Sequence, residues 1–358
     1  MKILDWRPRG ERLLLSIWGQ RSGPLRTNWG HDIWSRIHNK AISSRVAQRN
    51  GLENSPLVIS VGNLSLGGTG KTPVVIKLAQ DLAARNRSGV VLTRGYKSPL
   101  AGPLTVSAEN HRAGDEARLL ASALDPLGWS VVQARSRHRG LAWVMNSSQV
   151  PDLIVLEDGH QTARVARHMD ILILDHWHVN QSDNGGRLEA TTGPVFPWGP
   201  WRESATGADR AQYWLCESDS SLPEAGSGGQ PVYTFGRKFS LAGANAIGCE
   251  TPIPSSPMLV SGIARPEKFE SGAQDLLAEA ALLSVRLADH TPYDAALVIR
   301  LSAALRESAC HSLVTTTKDW IKLAPLWPAE VPAYTIGLEI VWGQHEALVE
   351  QIDKRLGT

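Results

Sequence analysis

Cysteine is scarce in this chain of 358 residues, which carries only Cys216, Cys249 and Cys310. The three are widely spaced and form no Cys-x-x-Cys pair, and an odd number cannot all be paired with one another. The sequence therefore does not indicate a disulfide framework. Such sparing use of cysteine is typical of a protein in a reducing compartment.

Long apolar runs are missing from the first fifty residues, where the stretch Leu13–Trp18 covers only six residues. A signal-peptide core or a membrane-spanning helix needs a longer run, so we expect neither in this segment.

The net charge is also small, at +2, but it is unevenly distributed. Residues 1–50 hold ten Lys/Arg and three Asp/Glu, a balance of +7, and the remaining chain has a balance of −5. The same segment contains Trp6, Trp18, Trp29 and Trp34. A basic segment rich in tryptophan predicts binding to an anionic membrane surface. The alternative is a solvated extension that packs loosely on the rest of the protein.

A chain of this length with 42% hydrophobic residues can form one large domain or two ordinary ones. Apolar strand-like runs at 57–61, 89–93, 130–133, 152–156 and 171–174 alternate with helix-period segments near 72–85, 114–124 and 136–147. This alternation predicts an α/β fold with a doubly wound, mainly parallel sheet, like that of the P-loop NTPases.

The same pattern divides the chain into three predicted parts. A basic segment covers 1–54, a P-loop core covers 55–231 with long loops at 176–231, and a second, smaller α/β domain covers 232–358. In the last part we expect strands at 257–262 and 312–316, and helices at 266–288, 293–309 and near 343–355.

A phosphate-binding loop is the strongest motif of the sequence. It follows the apolar strand at 57–61 and opens the next helix, with its residues Ser65, Leu66, Gly67, Gly68, Thr69, Gly70, Lys71 and Thr72. The glycines let backbone amides converge on phosphate, Lys71 reaches the β- and γ-phosphates, and the Thr72 hydroxyl can bind Mg²⁺. Ser65 stands where the strict pattern has glycine. An ordinary glycine-rich turn is the alternative, although few such turns need three glycines followed by Lys-Thr.

Four further features end strands or open helices. Glu157 and Asp158 close a buried strand, as the carboxylates of a metal site do, although acidic residues also end strands simply because the chain leaves the core. Asp115 opens a predicted helix and is either a functional carboxylate or an N-cap. Arg94 could bind phosphate or face solvent. Asp289 precedes His290 at a predicted helix end, and such a pair either shares a proton or is ordinary surface polarity.

In order along the chain, these motifs resemble one family, the tetraacyldisaccharide 4′-kinases of lipid A synthesis. The resemblance covers about residues 56–325 and rests on the segments 61–73, 93–96, 114–116, 157–161, 199–203, 261–269, 289–290 and 316–319. It implies ATP and Mg²⁺ as cofactors and transfer of the γ-phosphoryl group to the 4′-hydroxyl of an acylated glucosamine disaccharide 1-phosphate. It also implies a peripheral location at the cytoplasmic face of the bacterial inner membrane. No motif indicates a nucleic-acid partner or an obligate protein partner.

The resemblance also implies roles for individual residues. Asp115 would be the general base in a dyad with His290, and Lys71 would act on the transferred phosphate. Thr72, Asp158 and Glu157 would form the metal site. Arg94, Gln161 and Arg202 would contact substrate or phosphate.

Two departures from the family pattern bear on activity. Glu157 replaces the first of two aspartates, and Thr162 stands where the family has a histidine, with His160 two residues earlier. A nucleotide-binding but inactive relative, or one with a different substrate, therefore remains an alternative. A P-loop switch ATPase is another, although Leu66 occupies the place of the signature lysine of that class.

Overall fold

The computed structural model describes residues 1–12, 56–162, 165–175, 178–181, 187–191, 193–218, 222–244, 254–343 and 347–357. The chain forms two compact units. The large unit comprises 21–237 and 340–358, and the small unit comprises 1–20 and 238–339. The predicted three-part division at 54 and 231 stays a prediction.

The first part of the chain, up to residue 217, forms ten strands and three α-helices among the described residues. In order they are β1 (Lys2–Asp5), β2 (Leu57–Asn63), α1 (Lys71–Ala83), β3 (Gly89–Thr93), β4 (Leu104–Val106), α2 (Asp115–Leu124), β5 (Ser130–Gln133), α3 (Arg137–Met145), β6 (Leu153–Glu157), β7 (Met169–Leu174), β8 (Val179–Gln181), β9 (Leu188–Ala190) and β10 (Tyr213–Glu217). A 3₁₀ turn covers Ala205–Arg210.

The remaining elements are β11 (Val232–Gly243), β12 (Pro257–Ser261), α4 (Pro266–Leu276), β13 (Leu283–Arg286), α5 (Ala295–Glu307), β14 (Ser312–Thr316), α6 (Thr317–Leu323), β15 (Ala333–Trp342) and α7 (Ala347–Leu356). Strands β11 and β15 each run through the boundary between the units, at 237/238 and at 339/340.

In the large unit the strand order is β11-β10-β7-β2-β6-β3-β5-β4. The pairs are parallel except for the edge pair of β4 and β5. Strand β2 lies between β6 and β7 and is buried along its whole length, which explains its continuous run of apolar residues. Helices cover both faces: α1, α2 and α7 pack on one side of the sheet and α3 on the other. The predicted doubly wound fold is confirmed.

In the small unit the order is β1-β13-β12-β14-β15, with parallel pairing throughout. Helix α5 packs on one face and α4 on the other, so this unit is also an α/β layer structure, as expected.

The predicted helix at 266–288 is wrong beyond Leu276, because residues 283–286 form β13, whose first three residues are buried. The stretch from Leu282 to Leu287 suits either state on apolar content alone, and pairing with β12 on one side and β1 on the other decides it. Asp289 and His290 therefore follow a strand rather than end a helix.

Several strands lie where the sequence predicted none, and two of them bear on the predicted parts of the chain. Strand β10 falls within the segment expected to be loops, and its buried run pairs with β7. Strand β1 falls within the basic N-terminal segment and pairs with β13. Trp6 contacts the apolar cluster of the small unit, and the Arg300 guanidinium lies 4.2 Å from its ring centroid. Trp6 thus packs in the small unit, and its predicted membrane contact stays a prediction, whereas Trp18, Trp29 and Trp34 lie outside the described residues.

Every described helix is too short or too polar to cross a bilayer.

Candidate functional site

The predicted phosphate loop connects β2 to α1 in the large unit. Gly67 and Gly70 have φ angles of 88° and 85°, in the left-handed region that favours glycine. Gly70 is the N-cap of α1, and no side chain caps this helix. The first amides of α1 are therefore left without a side-chain acceptor, which is the arrangement that binds anions at a helix N-terminus.

The side chain of Asn63, the last residue of β2, stabilises this loop by hydrogen bonds. Its buried side chain donates through Nδ2 to the Ser65 carbonyl oxygen and to Thr69 Oγ1, both at 2.8 Å. Its Oδ1 accepts from Lys71 Nζ at 3.3 Å. No role for Asn63 was predicted from the sequence, although a polar residue at the end of an otherwise apolar strand is a signal for one.

The backbone amide of Leu66, unlike the uncapped amides at the start of α1, has a hydrogen-bond acceptor within the protein. Its amide donates to the Pro200 carbonyl oxygen at 2.7 Å, and its side chain is 36% exposed. The loop at 193–202 thus holds the start of the phosphate loop, and the Leu66 amide is already engaged.

Two carboxylates follow β6, beside the loop. Asp158 has a φ of 55°, an uncommon conformation for a residue with a side chain. Its Oδ1 lies 3.5 Å from Lys71 Nζ, and both its oxygens accept from Arg202 Nη1 at 2.8 Å. Burial alone would raise the pKa of Asp158, but the charges of Lys71 and Arg202 hold it well below the ordinary value. Asp158 is therefore ionised at neutral pH.

Glu157 is buried and points toward two hydroxyls. Thr72 Oγ1 donates to its Oε1 at 3.3 Å, and Thr93 Oγ1 donates to its Oε2 at 3.0 Å. Burial, together with the charges of Glu116 and Asp158, raises the pKa of Glu157 to about 7.

Arg137 lies near the same two carboxylates, and no role for it was predicted from the sequence. It is buried, and its Nη2 donates to the Glu157 carbonyl oxygen. Its Nε and Nη1 have no hydrogen-bond partner among the described residues. Burial lowers its pKa to about 10, so it stays charged at neutral pH. Arg94 comes directly after β3, whereas Arg137 is the first residue of α3, four residues after the end of β5, so the signal that singled out Arg94 does not mark Arg137.

Gln161 connects the loop to the segment after it. Its Nε2 donates to the Asn63 carbonyl oxygen and to Glu203 Oε1, both at 2.8 Å, and its Oε1 is 3.5 Å from Arg202 Nη1. The predicted residues Gln161, Arg202 and Asp158 thus lie together in one chain of polar contacts.

His160 does not replace the histidine missing at Thr162. It is fully buried, with Nδ1 3.2 Å from Asp170 Oδ2 and Nε2 3.0 Å from the Gly207 carbonyl oxygen. A side-chain carbon added at Gly62 would lie 2.5 Å from His160 Cβ. His160 therefore belongs to the packing behind β2.

Asp115 and Arg94 lie next to two glycines, Gly114 and Gly95, whose backbones are close together in the large unit. Asp115 is the first residue of α2 and is half-buried, and Arg94 follows β3 and is exposed. A side-chain carbon added at Gly114 would meet the Gly95 backbone at 3.1 Å, so the two segments would have to move apart by a few tenths of an ångström to accommodate it. Buried Gln133 reinforces the contact by accepting from the Gly114 amide at 2.8 Å.

His290 lies in the small unit, in a turn after β13, with a φ of 60°. Its Nε2 is 3.7 Å from Asp289 Oδ2. Because Asp115 and His290 belong to different units, the predicted dyad stays a prediction.

A family model described as tetraacyldisaccharide-1-P 4′-kinase matches residues 27–357. The chain belongs to this family. The resemblance seen in the sequence is therefore confirmed.

Named relatives support the assignment to the tetraacyldisaccharide-1-P 4′-kinase family. The chain is 34% identical over 309 residues to a tetraacyldisaccharide 4′-kinase of Jannaschia sp., covering 82% of this chain and 86% of that protein. It is 33% identical over 297 residues to one of Oleidesulfovibrio alaskensis, covering 78% of each. Its fold is similar to that of a crystal structure of LpxK from Aquifex aeolicus in complex with ATP, with a TM-score of 0.62 and 24% identity over 90% of this chain and 97% of that one.

Proposed function

We propose that this protein transfers the γ-phosphoryl group of ATP to the 4′-hydroxyl of a tetraacylated glucosamine disaccharide 1-phosphate, in lipid A biosynthesis. The observation that carries the proposal is the uncapped N-terminus of α1 with Lys71 and Asp158 beside it, in a member of the tetraacyldisaccharide-1-P 4′-kinase family.

The phosphates of ATP would be bound by the amides of residues 67–72 and by Lys71. Asn63 Oδ1 and Asp158 Oδ1 lie on Lys71 Nζ at 3.3 and 3.5 Å, so the ammonium group is already oriented before nucleotide arrives. A fixed positive charge of this kind stabilises the charge that develops on the transferred group.

The residues present fit Mg²⁺. Thr72, Glu157 and Asp158 offer oxygen atoms, the donors that this ion prefers. The described residues contain no group of three or more His, Cys, Asp or Glu arranged to hold a metal, which agrees with a site completed by nucleotide phosphates and water. When bound, the ion would neutralise charge on the phosphates.

Asp115 would accept the proton of the acceptor hydroxyl, and His290 would orient or tune it. Phosphoryl transfer depends mostly on positioning and charge stabilisation, so such a base contributes about 10²- to 10⁴-fold. Arg94 would face phosphate or substrate.

The acceptor carries several acyl chains and stays in a bilayer, so we further propose peripheral binding to the anionic cytoplasmic face of the inner membrane. The support is the +7 balance of residues 1–50. Because β1 and Trp6 pack in the small unit, we assign this role to residues 13–50, which hold six Lys/Arg and one Asp/Glu, a balance of +5.

Incubating the purified protein with labelled ATP and the tetraacylated acceptor tests the kinase assignment. We expect a new bisphosphorylated lipid, and none with an acceptor whose 4′-hydroxyl is blocked. ADP release without labelled lipid would instead favour a switch ATPase. ATP binding without turnover would favour the inactive relative.

Membrane binding is tested with vesicles of phosphatidylglycerol and phosphatidylethanolamine. Neutralising Arg21, Arg26 and Arg36 to glutamine should weaken binding by up to about 1 kcal/mol per residue, less at high salt. Neutralising the exposed Arg112, Arg139 and Lys354 is the matched control. Equal losses in both triple variants would refute a role for the N-terminal segment.

A further inference from the structure

The segment Thr316–Asp319 is part of the resemblance to the family but has no role in the site described so far. It forms the end of β14 and the first turn of α6. Lys318 and Lys322 are four residues apart on this helix and so lie on one face. Both reach the same turn of the small unit, at 288–291.

Lys318 Nζ donates to Asp289 Oδ1 at 3.1 Å. The other oxygen, Asp289 Oδ2, lies 3.7 Å from His290 Nε2. The carboxylate therefore stands between the lysine and the histidine, with one oxygen directed to each.

Lys322 holds the next part of the turn. Its Nζ donates to the Thr291 carbonyl oxygen at 3.2 Å and lies 4.8 Å from the centroid of the Tyr293 ring. The turn itself is closed by the Thr291 amide and hydroxyl, which donate to the Ala288 carbonyl oxygen at 3.1 and 2.7 Å.

The contacts of Lys318 and Lys322 matter because His290 has a left-handed backbone conformation. Its φ of 60° is unfavourable for a residue with a side chain, and such conformations persist where surrounding contacts fix them. The two lysines bind the residues on either side of His290, so they restrain the direction of its ring.

Helix α6 is itself fixed to the end of β12. Asp319 is fully buried and accepts from the Gly262 amide at 2.9 Å and from Thr316 Oγ1 at 2.8 Å. Thr316 Oγ1 in turn accepts from the Asp319 amide at 3.0 Å. The lysines therefore project from a rigid base.

We propose that Lys318 and Lys322 are positioning residues of the kinase reaction, which orient His290 through Asp289 and the 288–291 turn. This inference rests on the proposed function, because it takes His290 to act in catalysis. Lys318 has the larger role, since it contacts the carboxylate that faces the imidazole.

The test compares Lys318→Met with Lys318→Arg and with a matched control, Lys268→Met on α4 of the same unit. In Lys318→Met we expect kcat to fall about 10- to 100-fold, the cost of a misplaced reacting group, with the KM for ATP unchanged. Lys318→Arg should recover part of the loss, and Lys268→Met should match the wild type. Lys322→Met should show a smaller fall in kcat.

A double-mutant cycle separates positioning from general damage. Lys318→Met combined with His290→Ala should be no slower than His290→Ala alone, because the lysine acts through the histidine. Independent, additive losses would overturn the inference.

A readout without substrate completes the test. The ring signals of His290 in a ¹H–¹³C NMR spectrum should move in Lys318→Met and stay in place in Lys268→Met. Unmoved signals in a folded Lys318→Met protein would overturn the inference even if activity fell. A fully active His290→Ala variant would instead refute the catalytic role of His290, and with it the proposed dyad.

Discussion

In each unit a parallel strand is followed by a helix, but the N-terminus of that helix differs between the two units. In the large unit, α1 begins after Gly70 without a side-chain cap. In the small unit, α6 begins after Thr316, whose hydroxyl accepts from the Asp319 amide. The buried Asp319 carboxylate also stands at this end of the helix.

The presence or absence of a side-chain cap determines whether the N-terminus of a helix can bind an anion. Free amides at a helix N-terminus attract an anion, and around α1 they are joined by Lys71 and Arg202. A capped N-terminus with a buried carboxylate repels phosphate. The N-terminus of α1 is therefore suited to hold nucleotide phosphates, and the N-terminus of α6 is not.

Removing the charge at the uncapped helix should have the largest effect. Lys71→Ala should lower kcat/KM by about 10³-fold or more, because a charge lost from a partly dehydrated site costs several kcal/mol of transition-state stabilisation. The measurement is formation of labelled lipid from labelled ATP. Lys77→Ala is the control, at a half-buried lysine of α1 that pairs with Asp81 at 2.6 Å. More than a tenth of wild-type activity in Lys71→Ala would contradict the assignment.

The next effect tests whether both units take part in one reaction. Asp115→Asn and His290→Ala should each lower kcat by about 10²- to 10⁴-fold, and the double variant should be little slower than the worse single one. ATP affinity, measured by calorimetry, should change little because neither residue is assigned to the triphosphate. Additive losses would leave Asp115 as a helix N-terminal residue only.

The smallest effect concerns the stability of the large unit. The pKa of Glu157 is raised from 4.5 to about 7, so the folded protein keeps a proton that the unfolded chain has already released within this range. Stability should therefore fall as pH rises between these values, by up to about 3 kcal/mol from this group. Glu157→Gln should lose less stability than wild type between about pH 5 and pH 8.

Urea unfolding without nucleotide or divalent cation measures this dependence. Glu224→Gln, at an exposed glutamate of the same unit, should follow the wild type. An identical pH slope for Glu157→Gln and wild type would show that Glu157 ionises normally when buried.

Much of the large unit could be predicted from sequence because its signals are local. The apolar run at 57–61 and the glycines before Lys71 define a strand, a turn and a helix start without reference to the rest of the chain. The start of α2 at Asp115 was equally local, and the structure places it as expected.

The sequence by itself determined the phosphate loop, the α/β class and the family, because glycine spacing, hydrophobic periodicity and motif order are properties of the chain. The tertiary structure decided what depends on distant partners. Strand β1 forms by pairing with β13, with Lys2 opposite Leu283, 281 positions later in the chain. The roles of Asn63 and Arg137, and the contact of Lys318 with Asp289, likewise depend on residues that only folding brings within hydrogen-bond distance.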